Sequence, residues 1–215
     1  MRSYESLMTI RRLNRDLDET QQELILSLSE IAESRSRNTG HHVRRVGRIS
    51  GCIAGKMGYA EEQSKRMCLA AFMHDIGKLT VPDEILNKPD LLTEAEMTRM
   101  RTHCEMGAAM LASSNREMLQ LAARMALEHH EWFDGSGYPK GLRGAEISLE
   151  SRIVAVVDVF DALATKRPYK DIWPQDLILA YLRERRGTQF DPDVLDVFFA
   201  NLDEIRHLIA DLPEM

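Results

Sequence analysis

Chemistry in this chain would start from its imidazoles and the carboxylates beside them. Of seven histidines, His41 and His42 follow Gly40, His74 stands next to Asp75, His129 and His130 are adjacent, His103 lies between those pairs, and only His207 stands apart. Imidazole nitrogens and carboxylates together suit iron, manganese, nickel, cobalt or zinc, whereas magnesium and calcium sites are built from oxygen. Neighbouring residues on a helix point about 100° apart, so an adjacent pair cannot share one face. At a helix end, however, two adjacent donors can straddle a pair of metal ions. His74-Asp75 and His129-His130 are both read as such helix-end pairs, and His103 as a mid-helix residue. Asp158 is a further candidate, an acid in the most apolar stretch of the chain, Ile153 to Leu163. A carboxylate there must be paired, bound to a cation or neutralised. Asp161 is the competing acid, read as solvated or capping. Lys78 lies one turn past His74, with Gly77 permitting close backbone approach, and is placed either to clamp an incoming phosphate or to complement a helix end.

The elements that must position these groups read as helices. Apolar residues predict helices over 42–57, 61–74, 94–113, 116–130, 149–164, 174–185 and 192–210, the last broken, with loops at 79–92 and 131–148. Thr93-Glu94-Ala95-Glu96 spells a capping box, and Pro174 with Gly187 brackets another helix. The β-branched run Ile153 to Val157 would also suit a strand, but no partner strand is evident, so it is read as helix. Ahead of these, residues 1 to about 38 contain neither Gly nor Pro before the terminal loop and carry a stripe of Ile10, Leu13, Leu17, Leu24, Leu28 and Ile31 opposite a charged face. The stripe keeps the three-four alternation of a coiled-coil seam, with Thr20 and Ser27 as weak core positions. It needs a partner surface, which is either its own domain or a second copy.

Length and composition narrow the function classes. With 215 residues the chain holds one sizeable core plus an appendage, divided here into a linker helix over 1–30 and a domain over 31–215. No apolar run approaches the ~20 residues that span a bilayer, and no secretory signal opens the sequence, which places the chain in the cytoplasm. Cys52, Cys68 and Cys104 form no Cys-x-x-Cys pair and are read as reduced thiols. A net charge of −6 is the wrong sign for coating polymeric nucleic acid, so an anionic ligand must meet local cations.

The motifs His74-Asp75-Ile76-Gly77-Lys78, His103, His129-His130-Glu131 through Gly137-Tyr138-Pro139, and Asp158-Val159-Phe160-Asp161 closely resemble the HD-GYP subgroup of HD-domain metal-dependent phosphohydrolases. The resemblance covers roughly residues 30 to 200 and implies an all-α fold: an HD-domain helical bundle with additional C-terminal helices behind the long amphipathic helix. It also implies hydrolysis of cyclic di-GMP to pGpG or GMP by a metal-bridged hydroxide. The family's metal ligands fall on His42, His74, Asp75, His103, His129, His130 and Asp158, with Asp75 shared. Its phosphate-binding lysine falls on Lys78, its later basic pair on Arg167 and Lys170, and Tyr138 borders the nucleotide. Some members place Glu four residues before the first ligand histidine; this chain has Asn38 there, a poor anionic ligand, which favours two divalent transition metal ions, iron or manganese, over three. His41 and His207 are left as non-ligands. Glu131, beside the ligand pair, is read as a solvated loop acid rather than a proton donor.

The stripe predicts a homodimer through the N-terminal helix, that helix resembles the connector that joins such domains to an upstream receiver or sensor module, and diguanylate cyclases are further expected partners. Two rival readings remain at this stage: a catalytically weak cyclic-dinucleotide sensor or partner-binding module, and a hydrolase of another cyclic dinucleotide such as cyclic GMP-AMP. A sensor tolerates missing ligands, whereas here all seven ligand positions and Lys78 are filled.

Overall fold

A computed structural model describes residues 2–36, 41–165 and 173–210. Among them there are helices and two isolated bridges but no β-strand. The order is α1 (Arg2–Ser34), α2 (His41–Lys56), α3 (Glu61–Phe72), a 3₁₀ turn (Ile76–Thr80), α4 (Asp83–Leu86), α5 (Glu94–Arg101), α6 (His103–Ala112), α7 (Glu117–Glu128), a second 3₁₀ turn (Gly144–Glu146), α8 (Leu149–Ala164), α9 (Gln175–Glu184), α10 (Pro192–Ala200) and α11 (Leu202–Ala210).

The core forms around α8, whose Ile153, Val154, Val156, Val157 and Phe160 are buried together with Val46, Ile49 and Ile53 of α2 and Met67, Ala70 and Ala71 of α3. A β-branched run makes a helix here because burial on nearly every side outweighs its modest helix propensity. Ser148 caps α8 by accepting from the Ser151 amide, and Glu128 holds Ser148 in turn through its amide at 2.9 Å and its hydroxyl at 2.6 Å. The capping box opening α5 is present, with Thr93 accepting from the Glu96 amide.

Three departures from the sequence reading bear on function. The helix expected over 94–113 divides at Thr102, so His103 opens α6 instead of sitting mid-helix. The reason is a backbone contact: a Cβ on Gly77 would stand 1.9 Å from the His103 carbonyl oxygen, so the Ile76–Thr80 turn lies directly against the first residue of α6. Second, α3 ends at Phe72, and His74 and Asp75 belong to the turn that follows it. Third, the loop expected over 79–92 contains the end of the first 3₁₀ turn and all of α4.

Helix α1 packs on the domain only through its C-terminal part, where Ser29, Ala32 and Glu33 are buried. Its apolar stripe faces the other way: Ile10, Leu13, Leu17, Leu24, Leu28 and Ile31 are each 55–59% exposed. The stripe therefore does not pack on its own domain.

Candidate metal centre

Seven side chains converge where α2, the turn after α3, the start of α6, the end of α7 and α8 meet. On one side His42, near the start of α2, turns its Nδ1 to Asp161 Oδ2 at 2.7 Å and its Nε2 toward Asp158 Oδ1 at 3.4 Å. His74 donates from Nδ1 to the Ala71 carbonyl at 2.8 Å, leaving Nε2 3.3 Å from Asp75 Oδ2 and 3.9 Å from Asp158 Oδ1. On the other side His103 Nδ1 faces the Met100 carbonyl at 2.7 Å, and His129 Nδ1 faces those of Met125 and Ala126 at 3.0 and 3.1 Å. Their Nε2 atoms stand 3.4 Å apart. The His130 ring lies 4.1 Å from that of His129 and 5.2 Å from that of His103.

In His42, His74, His103 and His129 an acceptor facing Nδ1 assigns the proton to that nitrogen, so four Nε2 lone pairs point inward. They meet carboxylates, which are also electron-rich. Asp75 lies between the two groups, with Oδ1 at 3.3 Å from His103 Nε2 and 3.6 Å from His129 Nε2. His74 Nε2 and Asp75 Oδ1 are buried without a hydrogen-bond partner. Acceptors crowded around acceptors repel unless a cation sits among them. Two donors each about 2.1 Å from one ion, at angles near 90–110°, stand about 3.0–3.4 Å apart, close to the donor separations seen here. The residues present thus fit a metal pair, with Asp75 shared.

The protonation tendencies differ across the cluster. Without a metal ion, burial pulls the His42 imidazole down, but Asp158 and Asp161 outweigh it and raise the ring to about 10, so Nε2 is free to ligate only when an ion replaces its proton. At His103 burial dominates and lowers the ring to about 4, opposed by Asp75 and reinforced by His129 and Lys78. Burial, with His129 and His103 alongside, also keeps His130 well below the usual imidazole range. Asp75 is held well below the usual carboxylate range despite its burial, chiefly by Lys78 and His74.

The positions assigned from sequence are distributed as follows. His42, His74, Asp75, His103, His129, His130 and Asp158 all come together. His207 lies exposed on α11, away from the cluster. Arg167, Lys170 and Asn38 lie outside the described residues. Lys78 is largely buried, with Nζ 2.5 Å from Asp75 Oδ2 and 3.6 Å from Glu33 Oε2.

Two readings are corrected. Asp161 is buried, not solvated or capping: besides His42 it accepts from Arg45 Nε and, at 3.0 Å, from Arg45 Nη2. Glu131 is likewise buried, and its two oxygens accept from the Lys140 amide at 2.6 Å and the Leu142 amide at 3.0 Å. It ties the glycine-rich loop to the end of α7. Gly137 is required there, since a Cβ would stand 2.2 Å from the Trp132 backbone nitrogen. The closed loop sets Tyr138 with its ring 4.9 Å from that of His130.

Other neighbours had been missed. Cys104 brings Sγ to 3.4 Å from His103 Nε2 and stands within the same donor group as His103, His129 and His130. Glu33, Arg45 and Arg101 also reach the cluster or its border. For Asp161 a signal existed in its spacing from Asp158, which puts both acids on one helix face. For Glu33, near the end of an apparent linker helix, there was none.

Comparison with known proteins agrees with this geometry. An HD domain model matches residues 27–194. Over 193 residues the chain is 42% identical to the cyclic di-GMP phosphodiesterase response regulator RpfG of Xanthomonas campestris pv. campestris, covering 88% of this chain and 51% of that protein. It is 41% identical over 199 residues to a 3′3′-cGAMP-specific phosphodiesterase 2 of Vibrio cholerae, covering 93% of this chain and 38% of the relative. The chain thus spans about half, or less, of the length of these relatives. Among solved structures, a cyclic GMP-AMP specific phosphodiesterase of Vibrio cholerae (V-cGAP3) superposes with a TM-score of 0.63 at 18% identity, over 90% of this chain and 54% of that one, a likeness of fold. The chain belongs to the HD-domain family.

Proposed function

We propose that this HD-domain chain is a metal-dependent phosphodiesterase that opens cyclic di-GMP to pGpG or GMP, with cyclic GMP-AMP as the neighbouring substrate. The observation that carries the reading is the convergence of four inward Nε2 lone pairs on Asp75 and Asp158, with His74 Nε2 and Asp75 Oδ1 left without hydrogen bonds. The names of its relatives supply the substrate class. His42, His74, Asp75 and Asp158 would hold one ion, and Asp75, His103, His129 and His130 the other, iron or manganese. Such a pair, when bound, supplies Lewis acidity toward a phosphoryl oxygen and brings the pKa of water near neutrality.

The chain's own residues prepare that site. Asp75 is the shared anion, and Lys78 keeps it ionised. An ammonium has three N–H donors; Asp75 takes one at 2.5 Å, Glu33 stands 3.6 Å away as an ion pair, and a remaining donor can meet a non-bridging phosphate oxygen. Asp161, braced by Arg45, holds the His42 ring in the orientation that turns Nε2 inward. Tyr138 closes the side beyond His130 and borders the nucleotide. Arg167 and Lys170 grip the second phosphate.

Product analysis tests the reading. Metal-loaded protein incubated with cyclic di-GMP, cyclic GMP-AMP and cyclic di-AMP should release linear dinucleotide or mononucleotide from at least one guanine-containing substrate. Tight binding of cyclic di-GMP without any product would make the chain a sensor.

The apolar stripe supports residues 1–30 as a linker helix ahead of a phosphohydrolase domain over 31–215, pairing with a second copy. With Ile10, Leu17, Leu24 and Ile31 at one heptad core position and Leu13 at the other, Asp16 and Glu23 flank one side of the seam and Asn14, Gln21 and Leu28 the other. Antiparallel pairing would set acid against acid. Parallel pairing sets each acid against a neutral side chain, so the homodimer is parallel. An upstream receiver or sensor module would then act through this helix, and diguanylate cyclases would be functional partners. The three cysteines are free thiols, in keeping with a cytoplasmic protein.

A further inference from the structure

Beyond the metal centre, the described residues place one uncommitted cation at its rim. Arg101 ends α5, two residues before His103, and its guanidinium carbon lies 4.8 Å from the centroid of the Tyr138 ring. Tyr138 in turn lies 4.9 Å, ring to ring, from His130. Arg101, Tyr138 and His130 therefore form a column running outward from the cluster. The arginine is exposed and makes no ion pair or hydrogen bond with any described residue. Nearby arginines differ: Arg45 is spent on Asp161 and Arg35 on Asp83. Five N–H donors held on an aromatic ring and matched to no acceptor point to a ligand.

We infer that Arg101 is a specificity-determining residue that reads guanine. This inference rests on the proposed cyclic-dinucleotide activity. A phosphate drawn to the cluster and to Lys78 leaves the attached nucleoside to extend past Tyr138 toward the rim. There the planar fork of a guanidinium matches O6 and N7 of guanine with two parallel N–H donors. Adenine presents an amino donor in place of O6 and cannot accept the second hydrogen bond. Tyr138 holds the fork through its ring face, so its hydroxyl is dispensable for this role.

Steady-state kinetics on the metal-loaded wild type, Arg101→Ala and Arg101→Lys, with cyclic di-GMP and cyclic di-AMP compared, test the assignment. Arg101→Ala should raise the KM for cyclic di-GMP roughly tenfold or more, with kcat within about twofold, and leave that for cyclic di-AMP unchanged. Arg101→Lys should not rescue, because a point charge lacks the fork. An equal rise for both substrates would assign Arg101 to phosphate and overturn the inference, as would unchanged values for both. Calorimetric titration of the same proteins with the same two ligands keeps the test independent of turnover. If the wild type hydrolyses neither dinucleotide, the proposed activity fails, and the inference then stands or falls on whether Arg101→Ala abolishes the guanine preference in Kd.

Discussion

The two halves of the metal centre differ in one ring: His42 is oriented by a side chain, whereas His74, His103 and His129 all face backbone carbonyls. In the half built on His42 and His74, the His42 ring is set by a side chain, Asp161, which Arg45 braces. In the half built on His103 and His129, both rings hang on backbone carbonyls, those of Met100, Met125 and Ala126. One half is rich in acid, and His42 is driven up to about 10; the other is rich in imidazole, and His103 is pushed down to about 4. The acid-rich half can therefore be detuned by a single substitution outside the ligand set, whereas the imidazole-rich half is oriented by a backbone that no side-chain replacement removes. Asp75 belongs to both.

That last point gives the largest expected effect. Asp75→Ala removes the anion shared by the halves, and hydrolysis should fall by more than about 100-fold, beyond the cost of losing a positioning partner, with metal content falling at both positions. Loss of only one ion per chain, read by elemental analysis, would break the sharing.

A smaller and one-sided effect tests the difference itself. Asp161→Asn keeps the shape but removes the charge that orients His42, and should weaken metal affinity at that half by about 10–100-fold while the His103–His129 half keeps its ion. Titration with a chelator should then show one weak and one unchanged ion. Equal weakening of both would mean that the halves are not independently oriented.

The contrast also explains what could be read from the sequence. The ligands were legible because His74-Asp75 and His129-His130 are adjacent pairs and because the motif around them is long. Most helices were legible from apolar spacing, including α8 despite its β-branched residues. The position of His103 at the start of α6 was not, since it depends on a backbone contact with Gly77 that no local pattern encodes. Nor was the burial of Asp161 and Glu131: an acid in a loop or on a helix face looks solvated until its partners, Arg45 and the Lys140 and Leu142 amides, arrive from distant segments. The α1 stripe was legible as a seam, but spacing does not tell which surface covers it. The structure turns it outward.

The smallest effect on the centre comes from that seam. Leu17→Asn with Leu24→Asn should leave metal content and melting temperature nearly unchanged, because both side chains are more than half exposed, while light scattering shows the dimer giving way to monomer. A wild-type chain that is already monomeric would remove the helix pairing and leave the two halves as described.

The centre as a whole turns on two ions held around Asp75. Elemental analysis of the folded wild-type protein after anaerobic purification measures this directly. The expected result is about two iron or manganese ions per chain; a folded protein that holds one ion or none contradicts it.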